Sequence, residues 1–370
     1  MTLEEEINQK ILEEFEKYKK SVQKPNILLA GGTGVGKSSL INKIFGKELA
    51  KTGMGKPITD SIQKYEDYDI GVVLFDSPGY EIGTEKAKKF EDDVINIKEN
   101  IHLVWYCIDA SGHKVTDFDI NTIKRFRENG LIVSILFTKC DLVSEDTPKI
   151  LKETINKEIC NINMYETSSV LDDIELKSEL DRIINDSILK LPDIVKDGFI
   201  SAQKVSLKEK WNRAHGVILQ HAGGAFGVGF TPIPFSDAPI LIANQMGMIA
   251  RILYIYDLKS LENMLKAGGG SGVIGQIMSM LGKSAVGQLL KFIPGVGTLL
   301  GGVINGTVAT ILTSALGEAV SAGCYQLYEA ILNGNTDIEE QVKAFADIVF
   351  KFAKEAIESK KGKDDYQLPE

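Results

Sequence analysis

Residues Gly31 to Ser38 read G-G-T-G-V-G-K-S and follow directly on the apolar run Asn26-Ile27-Leu28-Leu29-Ala30. Gly31, Gly36, Lys37 and Ser38 satisfy the pattern G-x-x-x-x-G-K-[ST], whose chemistry is the gripping of phosphate. Glycines let backbone N–H groups turn inward around phosphate oxygens with no Cβ in the way. A helix that begins near Gly36 adds free N–H groups and the positive end of its dipole. Lys37 then reaches the β and γ phosphates and the Ser38 hydroxyl holds Mg²⁺. Gly31, Gly34, Val35, Gly36, Lys37, Ser38 and Ser39 form the expected phosphate-binding set.

Further motifs follow in order. Asp76-Ser77-Pro78-Gly79 closes the strand-like run Ile70–Phe75. An Asp there can hold Mg²⁺ through water, and the Gly79 N–H can meet a γ-phosphate. Thr138-Lys139-Cys140-Asp141 closes the apolar run Leu131–Phe137, and Thr167-Ser168-Ser169 closes Asn163–Glu166. Each lies at the carboxyl end of a predicted strand, where open α/β sheets bind ligands. Asp141 can accept the N1–H and N2–H₂ donors of guanine. Adenine has no such pair, so its nucleotides would leave a buried carboxylate unpaired. Lys139 lays its aliphatic stem along the base. The Ser168 backbone, with Ser169 beside it, meets guanine O6.

These motifs carry a resemblance. The chain resembles GTPases of the translation-factor-related class, nearest the Era-like and immunity-related branches, over about Lys24 to Leu189. The stretch His102–Asp109 (H-L-V-W-Y-C-I-D) also resembles a central strand of such bacterial GTPases. The resemblance implies a P-loop GTPase fold, GTP/GDP and Mg²⁺ as ligands, and a switch loop over Gly46–Ser61. In that loop Thr59, presented as P-x-T, is the magnesium-binding and γ-phosphate-sensing threonine, with Thr52 as the alternative. Lys37, Thr59 and Gly79 are the expected catalytic set, and Ser38, Thr59 and Asp76 the metal set. Two departures bear on hydrolysis. Tyr80 follows D-x-x-G where many relatives place Gln or His, and no arginine lies between Ser38 and Arg125. Gly34 also stands where Era-like proteins carry a potassium-binding asparagine. Slow hydrolysis, accelerated by self-association, a partner or a surface, is the expectation.

A length of 370 residues allows two or three domains. The net charge of −9 argues against broad nucleic-acid binding. Cys107, Cys140, Cys160 and Cys324 show no paired or metal-like spacing, which points to reduced thiols in a cytoplasmic compartment. The acidic start carries no secretory signal. Leu3, Ile7, Ile11 and Phe15 recur every four residues, an amphipathic helix that packs on the second domain or on a partner.

Alternating strand and helix signals over Pro25–Leu189 predict a doubly wound, mostly parallel sheet. Its helices fall at Lys37–Phe45, Lys86–Glu99, Asp117–Asn129, Thr147–Ile159 and Leu176–Leu189. The expected organisation is an N-terminal helix (1–22), the GTPase (23–190), an all-α, glycine-rich domain (191–355) and a frayed tail (356–370). A polar helical segment, Asp193–Gln220, opens the third part. Composition then shifts. Val217–Gly334 holds ten charged residues in 118, against 25% for the whole chain, and twenty of the 35 glycines. Phe292–Gly317 has no charge over 26 residues. Its proline, glycines and threonines weaken a membrane span, while glycines four apart suit close helix packing. A packed helical core, reversible docking at the inner membrane and a span stay open. The stretch Phe230–Tyr256 resembles the start of a helical domain, itself uncharacterised, that follows some bacterial Era-like GTPases. Expected partners are guanine nucleotide, a second copy in a homodimer or nucleotide-dependent oligomer, and a membrane surface.

Overall fold

The computed structural model describes residues 3–46, 56–59, 62–77, 85–97, 99–168, 174–228, 238–257 and 306–333, with Ala344 and Lys351. Thr52, Gly79, Tyr80, Ser169, the turn at Pro232–Asp237, the uncharged runs at 267–282 and 292–305, and most of the predicted C-terminal stripe lie outside that set. The chain divides into two compact units, Val22–Ser206 and a helical unit of Met1–Ser21 with Leu207–Glu370.

The first unit is α/β. Its elements are β1 (Asn26–Ala30), α2 (Lys37–Phe45), β2 (Lys56–Thr59), β3 (Ile62–Glu66), β4 (Val73–Asp76), α3 (Glu85–Ile95) and β5 (Leu103–Asp109). After them come α4 (Asp117–Glu128), β6 (Val133–Thr138), α5 (Asp146–Glu158), β7 (Asn163–Glu166), α6 (Ile174–Lys190) and α7 (Asp193–Ala202). The seven-stranded sheet has the order β2-β3-β4-β1-β5-β6-β7. Strands β4, β1, β5, β6 and β7 are parallel, and β3 and β2 are antiparallel. The sequence signals miss β2 and β3. They form a hairpin on one side of the sheet with β2 outermost, where ladder pairing rather than an apolar run makes the strands; in β3 only Ile62 is buried.

The interiors of the central strands are apolar apart from Ser134 in β6, because both faces are covered. Successive residues still divide by the period of two. Leu28, Phe75, Tyr106 and Phe137 face a core with Phe90 and Phe126, while Ile27, Leu29, Leu74 and Trp105 face one with Phe45, Ile183 and Phe199. Phe45 stacks on Trp105 at 5.9 Å, and Phe199 meets both rings edge-on at 6.1 and 6.3 Å. Each fully buried aromatic of this kind contributes about 1.5–3 kcal/mol by area.

Phe199 belongs to α7, which the expected boundary between residues 190 and 191 assigns to the all-α domain. In the structure its Val195, Phe199 and Ala202 complete the α/β core. Gly198 packs so closely on Gly71, before β4, that a Cβ on it would lie 2.5 Å from the Gly71 carbonyl oxygen. The expected single helical segment over Asp193–Gln220 is two helices. Gln203 is fully buried, and its side-chain oxygen accepts from the N–H groups of Val205 and Ser206 at 3.0 and 2.8 Å. That local pairing competes with the helical ladder and ends α7.

The helical unit contains α1 (Leu3–Ser21), α8 (Leu207–Val228), α9 (Ala238–Ile255) and α10 (Gly306–Leu332). Helix α1 packs against α9: Tyr18 meets Tyr254 edge-on at 5.5 Å, and the Arg251 guanidinium lies 5.2 Å from the Tyr18 ring. Ile11 and Phe15 are buried. Helices α8 and α10 meet through Trp211 and Tyr325, and His215 pairs with the buried Glu318 at 2.7 Å. Among the described residues no helix is long and apolar enough to cross a membrane.

Candidate nucleotide site

Between β1 and α2 the chain needs backbone shapes that L side chains resist. Gly31, Gly34 and Gly36 have φ of 133°, 74° and 96°. A Cβ on Gly31 would lie 2.3 Å from the Cys107 carbonyl oxygen of β5. Gly36 caps α2, and Ser38 and Ser39 stand exposed in its first turn. Lys37 is buried instead; its Nζ donates to the carbonyls of Gly31 and Gly32, each at 2.9 Å, which ties the loop into a ring. Burial lowers the Lys37 pKa, and the charge of Asp76 opposes that shift.

Asp76 ends β4, paired with Leu29 of β1. Burial raises its pKa to about 6, against the opposing attraction of Lys37. Its Oδ1 and the Ser77 Oγ are buried with no hydrogen-bond partner among the described residues. A buried carboxylate oxygen left unsatisfied is costly. Its hard oxygen suits a hard cation such as Mg²⁺, so the donor set fits that ion. Thr59 lies in edge strand β2, paired with Ile62, rather than in a loop as the sequence suggested.

The base motifs meet at the same carboxyl edge. The Thr138 Oγ1 donates to the Val35 carbonyl of the phosphate loop and, at 3.3 Å, to the Ile108 carbonyl. Lys139 turns the chain with φ 57° and ψ 33°. Asp141 follows in a short 3₁₀ turn, Cys140–Leu142. Parallel pairing of β6 with β7 brings the next motif alongside: the Cys140 N–H donates to Thr167 O at 3.1 Å, and the Thr167 N–H to Phe137 O at 2.8 Å. Ser168 is buried beside them. Sequence reasoning missed Asp109, whose Oδ2 accepts from the Lys139 Nζ. Its signal was available as the last residue of the strand-like run His102–Asp109.

A glycine-wrapped loop between strand and helix, a buried lysine and a strand-end aspartate define a P-loop nucleotide-binding protein. Residues 26–139 match the family model described as 50S ribosome-binding GTPase. The chain is 32% identical over 157 residues to the probable GTP-binding protein EngB of Cytophaga hutchinsonii, covering 39% of this chain and 77% of that protein. It is 35% identical over 150 residues to probable EngB of Wolbachia pipientis, covering 38% of this chain and 74% of that protein. It is 23% identical over 193 residues to neuronal-specific septin-3 of Danio rerio, covering 43% of this chain and 53% of that protein. The chain belongs to this family of P-loop GTPases, whose ligands are GTP or GDP with Mg²⁺.

Proposed function

We propose that the chain is a GTP-hydrolysing molecular switch in which the nucleotide bound by the α/β unit controls the helical unit. The observation that carries it is the half-buried Asp76 carboxylate, whose Oδ1 is buried and has no hydrogen-bond partner among the described residues, beside a lysine and a loop bent by three glycines of positive φ. The amides of Gly31, Gly34, Val35 and Gly36 and the Lys37 ammonium bind the phosphates. Ser38, Thr59 and Asp76 hold Mg²⁺, which neutralises charge on the β and γ oxygens when bound. Thr59 and the Gly79 amide sense the γ-phosphate. Thr138 links phosphate and base sites, Lys139 flanks the base, Asp141 selects guanine, and Ser168 and Ser169 serve O6.

Tyr80 lacks the carboxamide or imidazole that orients water, and no arginine precedes Arg125 in the switch segments. Hydrolysis is therefore slow in isolation and rises with self-association. Single-turnover GTP hydrolysis over a range of protein concentrations tests this; a fast rate independent of concentration would contradict it. Asp141→Asn should weaken GTP by about a hundredfold, the scale of losing a matched buried polar contact, and favour xanthosine triphosphate. Calorimetry with both nucleotides checks the exchange.

The low charge of Val217–Gly334 supports nucleotide-controlled docking of the helical unit on a membrane surface. Liposome flotation with GDP and with a GTP analogue would differ on this reading. A second reading, favoured by the family description, is a ribosomal partner. The net charge of −9 weighs against RNA contact. Co-sedimentation with ribosomes in the GTP-analogue state distinguishes the two.

A further inference from the structure

We propose that Asp109 is a positioning residue that sets base specificity: by holding the Lys139 ammonium it keeps the lysine stem against the base and leaves Asp141 open to guanine. The inference rests on the base-site reading above.

Four observations support it. First, β5 and β6 pair Asp109 with Thr138, so the carboxylate stands beside the turn that bears Lys139. Second, both of its oxygens are engaged. Oδ1 accepts from the Ser111 N–H at 2.9 Å and from the Ser111 hydroxyl, and Oδ2 accepts from Lys139. A carboxylate bonded on both oxygens cannot follow a wandering lysine. It fixes the far end of that side chain. Third, Lys139 already occupies the left-handed backbone region, a conformation L residues hold only when their surroundings impose it. Fourth, Asp141 lies two residues along the same turn and forms no ion pair among the described residues.

An ammonium and a carboxylate two residues apart in one tight turn attract each other. If Lys139 paired with Asp141, it would compete with the guanine N1–H and N2–H₂ groups for the same oxygens. Asp109 removes that competitor by offering an earlier, better-held partner. Burial tends to raise the Asp109 pKa, but the hydrogen bonds from Lys139 and Ser111 outweigh it and hold the pKa below the ordinary value, so the carboxylate is charged at neutral pH. The pair is partly exposed, 34% and 24%, a setting in which ion pairs add little to folding stability. Its consequence falls on recognition rather than on the fold.

The test is calorimetry on the full chain with Mg²⁺ and three probes: GDP, IDP, which lacks the 2-amino group, and ADP. Asp109→Asn keeps the size and the oxygen that Ser111 binds, and removes the charge that holds Lys139. It should weaken GDP roughly tenfold, the scale of one charge-assisted contact. It should also shrink the preference for GDP over IDP several-fold, with the melting temperature nearly unchanged. In a Lys139→Met background, Asp109→Asn should have no further effect on either quantity. A wild-type GDP affinity and GDP:IDP ratio in Asp109→Asn would overturn the inference. So would an equal loss in the Lys139→Met background, since Asp109 would then act through some other group. If Asp109→Asn does not fold, Ser111→Ala carries the test, with a smaller shift expected in the same direction and no shift counting against it. Wild-type protein that fails to prefer GDP over ADP would bring down the base-site reading itself, whereas normal discrimination with an indifferent Asp109→Asn removes only the role of Asp109.

Discussion

Glycine does different work in the two units. In the α/β unit Gly31, Gly34 and Gly36 are required by their own backbone angles, all at positive φ. In the helical unit Gly317 sits within α10 and is required by its neighbours: a Cβ would lie 2.7 Å from Ile218 Cγ1 and 2.9 Å from Met248 Sδ. Buried polar atoms with no hydrogen-bond partner among the described residues occur in both units, among them Asp76 Oδ1 and Ser77 Oγ in the first and Glu318 Oε2 and Tyr328 Oη in the second, so it is their place that differs. In the α/β unit Asp76 Oδ1 lies at the carboxyl edge of the sheet, beside the phosphate-loop lysine. The helical unit turns several of its own inward on one another: Lys210 is fully buried and donates to Ile255 O at 2.9 Å, and Tyr256 meets Ser321 at 3.2 Å. The lesson is that the first unit is built around something it binds. The second, in its described residues, is built around its own packing.

Three experiments would break or sharpen that contrast. The largest effect is expected from Lys37→Ala, which removes the ammonium that ties the loop carbonyls and meets the phosphates. GTP binding should fall by at least about a hundredfold, a loss in line with its several charge-assisted bonds. Calorimetry on protein shown to be folded by circular dichroism would check it, and near-normal binding would refute the site.

Next is a matched pair of glycine substitutions. Gly31→Ala drives a Cβ into a backbone carbonyl that cannot move aside, at a φ that alanine resists, and should cost more than about 3 kcal/mol together with nucleotide binding. Gly317→Ala presses on flexible side-chain ends and should cost about 1–3 kcal/mol, with GDP affinity unchanged. Chemical denaturation and calorimetry on both variants give the comparison. Loss of GDP affinity in Gly317→Ala would show that helical packing and the nucleotide site are coupled more tightly than the contrast implies.

The smallest effect concerns pH. The folded chain holds the Asp76 proton up to about 6, against an ordinary value of 3.8, because burial disfavours the charge more than Lys37 favours it. Between those values the folded state binds more protons than the unfolded chain. The stabilising contribution is therefore complete below the lower value and is lost as pH rises through the upper one. Thermal melts without added metal should show stability from this group falling between about pH 4 and about pH 6, and Asp76→Asn should flatten that slope. Mg²⁺ competes with the same proton, so magnesium-dependent nucleotide binding should weaken as pH drops below about 6.

Much of the α/β unit is legible in the amino-acid sequence. Strands Asn26–Ala30 and Asn163–Glu166 and helix Lys37–Phe45 fall at the expected residues. Their signals are local: apolar runs of strand length, and glycines at fixed spacing before a helix-forming stretch. The edge hairpin β2–β3 is not legible, because its residues carry no continuous apolar run. Nor is the allegiance of α7, whose apolar residues would suit either unit until Phe199 is seen against Trp105.

By itself the sequence determined the strand–glycine loop–helix unit and the order of motifs behind it, because backbone freedom and hydrophobic period act between near neighbours. Only the tertiary structure decided which distant groups meet. Thr138 ties to Val35 across 103 residues, Lys139 to Asp109 across 30, and α1 packs against α9, which follows the whole α/β unit in the sequence. Such pairings depend on which faces are buried together and which polar atoms then need partners, and no local pattern encodes that.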